Sequence, residues 1–169
     1  YHELYKEYLL YPKSADEWKG FSATNQITPY TGSLDYMTTD NSYYPVDEWT
    51  LDYMRQVKEI LDQHGTKLLM VSAPNPLNWT TSKHNTLQEW CDQNNVTYID
   101  YNLKPEELNI NWLTDSRDGG DHLNYSGSVK FMNVLGKYLQ ENYELTDHRN
   151  DPAYTKWNKD YKSIFGGAQ

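Results

Sequence analysis

Cysteine is almost absent from this chain: Cys91 stands alone among 169 residues. A lone thiol builds neither a disulfide framework nor a cysteine metal cluster. Long apolar runs are missing as well. No stretch approaches the roughly 18 residues that cross a bilayer, and no basic-then-apolar signal segment opens the chain. Positive charge is scarce, with 15 Lys and Arg against 24 Asp and Glu, a net charge of -9 and a pI near 4.9. That balance argues against binding a phosphate backbone, so no nucleic-acid partner is expected. Mean hydropathy is low, at -0.92. Burial must come from 16 Tyr, 6 Trp and 3 Phe. Aromatic side chains bury large areas and disordered chains are poor in them. One folded domain of ordinary size is expected. The chain opens on Tyr1 instead of Met, which suggests an expressed or processed fragment.

Three segments follow from the composition. Residues 1–45 read as an irregular, Tyr-rich N-terminal segment, with a short helix over 2–10 ended by Pro12 and turn signals at Pro29, Gly32 and Pro45. Residues 46–146 carry regular periodicity. Residues 147–169 form a polar tail, in which Tyr154, Trp157 and Tyr161 are spaced to clamp it to the body.

Within the middle segment, Trp49, Tyr53, Val57, Ile60 and Leu61 recur at helical spacing, with Met54 widening the stripe. They predict a helix whose apolar face turns inward, stopped at Gly65. Lys67 to Ala73 is a continuous apolar run ended by Pro74, as suits a strand buried on both faces. A helix capped by Ser82 comes next, with Leu87, Trp90 and Cys91 facing inward. Val96 to Asp100 reads as a second strand, and Ser126 or Ser128 starts a helix on which Val129, Met132, Leu135 and Leu139 share a face. This alternation is the α/β rhythm. Two strands alone would leave faces and edges open. Either the Tyr-rich first third supplies strands that its pattern hides, or part of the domain lies upstream of Tyr1.

The chemistry concentrates in Asp115 to Gly127, where Asp115, Asp118, Asp121, His122 and Asn124 share one loop before a helix. In an open parallel α/β sheet, loops at the carboxyl ends of strands build active sites. A His beside a carboxylate is the base-and-orienter half of a nucleophilic triad. Gly119 and Gly120 allow the tight turn that brings an Asp to the ring. The same string also fits a solvated acidic turn. A calcium site is a third reading, but the EF-hand pattern fails because its twelfth position lacks a bidentate Glu. No metal and no cofactor are expected.

The string Asp118-Gly-Gly-Asp-His122-Leu-Asn124-Tyr-Ser-Gly127, followed by an amphipathic helix, resembles the last block of SGNH/GDSL-type hydrolases. It is most similar to the cell-surface branch that includes alginate and teichoic-acid O-acylation proteins. The run LLMVSAPNPLNW, the stretch Trp79-Thr-Thr-Ser-Lys83-His84-Asn85 and the segment from Asp147 to Trp157 resemble that branch too, so the likeness covers residues 46–160. It implies a flavodoxin-like three-layer α/β domain, incomplete at its N-terminus here. It also implies a bacterial, extracytoplasmic serine esterase or O-acyltransferase, at the cell surface or membrane-anchored when full length. Its partner would be carbohydrate or an acylated cell-wall polymer.

Two departures qualify the likeness. The superfamily's Asp commonly lies three residues before the His, where this chain has Gly119. Asp118 is therefore favoured as the orienter of His122, with Asp121 as the alternative. The family's Gly-x-Ser block after the first strand has no counterpart. Ser33, in Thr-Gly-Ser-Leu, is the nearest string but lacks a preceding apolar strand, and Ser72 sits within a strand. The nucleophile is therefore expected upstream of Tyr1, and this fragment alone is expected to be inactive. Trp79, His84 and Asn124 are candidate substrate-binding residues. For Trp79 and Trp112 plain packing is the competing role, for His84 a surface position, and for Asn124 a helix cap. A non-catalytic glycan-binding relative is the alternative function, and the oligomeric state is left open.

Overall fold

The structure, a computed structural model, describes Phe21 and residues 23–165. The helix expected over 2–10 lies outside the described residues. From 23 to 47 the chain forms neither helix nor strand. The elements that follow are α1 (Glu48–Gln63), β1 (Leu69–Ser72), α2 (Thr81–Gln93) and β2 (Thr97–Asp100). After a 3-10 turn at Tyr101–Leu103 come the single-turn α3 (Pro105–Leu108) and α4 (Tyr125–Asn142). A second 3-10 turn, Pro152–Tyr154, leads into α5 (Thr155–Phe165). Two compact units result: Asn25–Val134 holds the sheet, and the other includes the residues from Leu135 onward. Among the described residues no helix is long and apolar enough to cross a membrane.

The sheet has two parallel strands, in register from Leu69 opposite Thr97 to Ser72 opposite Asp100. Their carboxyl ends therefore lie side by side. Helix α2 makes the crossover that a parallel pair requires. It begins two residues earlier than Ser82 suggested, because Thr80 takes the cap and its hydroxyl accepts from the Lys83 N–H at 3.4 Å. It ends at Asn94, and Asn95 then turns the chain with φ of 51°, a left-handed conformation that Asn tolerates. Trp90, Cys91 and Val96 form the buried cluster, and Leu51, Met54, Leu68, Met70 and Tyr98 pack against it. Burial pushes the Cys91 thiol up to about 11, so it is inert at neutral pH.

Several expected faces are turned the other way. On α1, Leu51 and Met54 meet the core, while Trp49, Tyr53, Val57 and Ile60 are 50–62% exposed. A 3.6-residue period cannot say which of two adjacent stripes faces inward, and the aromatic one does not. On α4, Val129 and Met132 of the expected face are exposed while Leu135 and Leu139 are half-buried, and Phe131 packs edge-on against buried Tyr101 at 5.2 Å. Strand β1 is shorter than its apolar run, and only Ser72 of its four residues is fully buried. In the tail, Trp157 and Tyr161 are exposed, and the Tyr154 ring stacks on His148 at 4.3 Å within the same segment.

Candidate functional site

Asp115 to Asn124 is a loop closed on itself. The Asn124 N–H donates to the Asp115 carbonyl at 2.8 Å, and the Arg117 N–H to the His122 carbonyl at 3.1 Å. Asp115 is the buried footing, its side chain 2% exposed, and it accepts from Lys130 Nζ at 2.6 Å and the Asn111 N–H at 2.8 Å. Gly119 and Gly120 turn the tip with φ of 78° and 104°. From outside, the Thr28 N–H donates to the Ser116 carbonyl and the Gly119 N–H returns a bond to Thr28. The Tyr-rich segment thus supports the site through backbone pairing without becoming a strand.

This loop delivers the predicted pair. Asp118 grips His122 at two points: Oδ1 accepts from the backbone N–H at 2.7 Å and Oδ2 from ring Nδ1 at 2.6 Å. An ionised carboxylate only accepts, so Nδ1 carries a proton, and in the neutral ring the lone pair is on Nε2. Burial pushes the Asp118 carboxyl up, but those two bonds from His122 outweigh it and hold it below the usual carboxylate range. Asp121 Oδ2 stands farther from the ring, at 3.4 Å, and its Oδ1 accepts from Asn78 Nδ2 at 2.7 Å and Asn75 Nδ2 at 2.8 Å. These amides, Asn78 foremost, depress the Asp121 carboxyl. The geometry of orienter therefore belongs to Asp118, while Asp121 ties the loop to the segment after β1. That tie sets His122 at the carboxyl end of the sheet.

No described hydroxyl bonds to Nε2 of His122. Ser33 Oγ accepts from the Asp35 N–H, and buried Ser72 Oγ pairs with Tyr98 OH at 2.8 Å. One ligand atom each from Asp118, Asp121 and His122 lies within 4.8 Å of the others.

Of the other residues singled out, Asn124 is buried and fully used. Its Oδ1 caps α4 at the Gly127 N–H, and its Nδ2 donates to the carbonyls of Thr114 and Gln26. Trp112 is 9% exposed, edge-on to Tyr30 at 6.3 Å, and so packs. Trp79 and His84 converge on a carboxylate that the sequence reading passed over, Asp100 at the end of β2. Asp100 Oδ2 accepts from Trp79 Nε1 and His84 Nδ1, both at 2.9 Å, while Oδ1 accepts from the backbone and side-chain N–H of Asn102. Asn102 Oδ1 in turn accepts from the Asn75 N–H at 2.7 Å. The missed signal was positional: Asp100 and Asn75 stand at the carboxyl ends of adjacent parallel strands.

The fold and site define a mixed α/β protein with an oriented imidazole beside the ends of its parallel strands. No family model, curated protein or solved structure matches the chain.

Proposed function

We propose that this chain carries the acid–base half of an SGNH-type serine esterase or O-acyltransferase acting on cell-envelope carbohydrate, built on a flavodoxin-like three-layer domain and working outside the cytoplasm. The observation that supports the reading is the two-point grip of Asp118 on His122, which leaves Nε2 with a free lone pair. In this reading Nε2 removes the proton of a serine hydroxyl as its oxygen adds to the acyl carbonyl. The imidazolium is stabilised by Asp118 and returns the proton to the leaving alcohol. Water or a sugar hydroxyl then takes the acyl group by the reverse steps. The serine stands outside the described residues.

The test is His122→Gln in the full-length protein as the cell makes it, assayed for hydrolysis of an O-acetylated oligosaccharide. A fall in kcat of about 10³-fold or more is expected. Undiminished turnover would overturn the assignment. Saccharide binding without turnover in either protein would favour the glycan-binding alternative.

A further inference from the structure

A second imidazole in the same unit is presented in the same manner as His122, with less of its side chain exposed. His84 Nδ1 bonds to Asp100, whose side chain is 1% exposed while that of His84 is 18% exposed. Asp100 accepts on both oxygens from Trp79, His84, Tyr98 and Asn102, and with Oδ2 as the acceptor the His84 proton sits on Nδ1. The Tyr98 ring stacks on the imidazole at 5.7 Å and fixes its plane. His84 Nε2 bonds to no described residue, and the side chain keeps part of its surface exposed.

We propose that Asp100 and His84 form a second acid–base site, which activates water or an alcohol hydroxyl toward an ester without a protein nucleophile. Nε2 takes the hydroxyl proton as the oxygen forms a bond to the acyl carbon. The imidazolium, paired with Asp100, then gives that proton to the departing alkoxide as the original C–O bond breaks. Among the described residues the titratable groups that touch His84 are Asp100 and Tyr98, both on β2, and burial raises the Tyr98 phenol so that it stays neutral. Lys83, its neighbour on α2, turns away to the Asn78 carbonyl at 2.7 Å.

The probe is p-nitrophenyl acetate with the full 169-residue chain. His84→Gln is expected to lower the protein-catalysed rate by about 10²-fold, within the range of general-base catalysis. His64→Gln, an exposed histidine just past α1, should leave it unchanged. In His84→Ala, free imidazole should restore the rate, which a packing role would not produce. Circular dichroism confirms that the variants fold. A full rate in His84→Gln, or a loss confined to His122→Gln, would overturn this proposal, and the latter result would at the same time support the serine reading.

Discussion

Asn78 and Trp79 are consecutive in the chain, yet their side chains hold two different carboxylates. Asn78 Nδ2 donates to Asp121 at 2.7 Å and Trp79 Nε1 to Asp100 at 2.9 Å. Each of those acids lies beside a histidine. The short segment after β1 is therefore the link between the two imidazoles, and Asn75 reinforces it by bonding to Asp121 through its side chain and to Asn102 through its backbone.

That link has a titratable signature. Asn78→Ala removes the foremost influence depressing the Asp121 carboxyl. Its pKa should move up toward the ordinary value near 3.9, read by carboxyl NMR. Because Asp115, Asp118 and Asp121 are all depressed in the folded chain, their contribution to stability is present above about pH 4. It is lost as pH falls through the folded values. Urea midpoints should hold steady above about pH 5 and drop on acidification, less steeply in the variant.

Gly120 and Tyr30 set the shape of the loop tip. A Cβ at Gly120 would meet Tyr30 Cδ2 at 2.6 Å, on a backbone with φ of 104°. Gly120→Ala should therefore cost about 1–3 kcal/mol in denaturant unfolding. In a double-mutant cycle with Tyr30→Ala, which by itself loses the Tyr30 bonds to the Ser33 and Pro76 carbonyls, the steric share of that cost should disappear while the backbone strain persists.

Two glycines on α4 should respond with opposite sign. Helix propensity favours Ala over Gly by about 1 kcal/mol at both. At Gly136 the added methyl meets nothing within 4 Å, so Gly136→Ala should stabilise by up to about 1 kcal/mol. At Gly127 it would stand 2.6 Å from the Asp115 carbonyl oxygen. That contact is with backbone, which cannot swing aside, and overpacking of about 1–3 kcal/mol outweighs the propensity gain. Thermal unfolding of the two variants decides the matter.

The outward stripe of α1 gives a surface test. Val57→Ser and Ile60→Ser should change stability by less than about 0.5 kcal/mol, since both residues are at least half exposed. Met54→Ala, packed on the Trp90 cluster, should cost more than either. Equal losses at all three positions would show that the stripe is buried.

The sequence was most legible where one residue type has one use. The Pro74 stop and the second strand, one residue shorter than expected at Thr97–Asp100, were legible, as was the contact of Asp118 with His122, because turn chemistry and a four-residue loop reach leave few options. It was least legible where burial depends on the partner. The aromatic stripe of α1 outranks Leu51 and Met54 in apolar area, yet the latter face the core. Asp100 looked like the end of a strand and nothing more. Its role depends on Trp79 and His84, 21 and 16 residues away, which only the crossover through α2 brings to it. The support that Thr28 gives to Gly119 was hidden for the same reason, since irregular backbone pairing leaves no periodicity to read.

The central claim is that Asp118 holds His122 with Nδ1 protonated and Nε2 open. Long-range nitrogen–proton NMR of the imidazole rings, on the neutral form of His122, tests it most directly. The expected result is the Nδ1–H tautomer in the wild-type chain and its loss in Asp118→Ala, with Asp121→Ala leaving it in place. A His122 ring protonated on Nε2, or one whose tautomer follows Asp121 instead of Asp118, would contradict it.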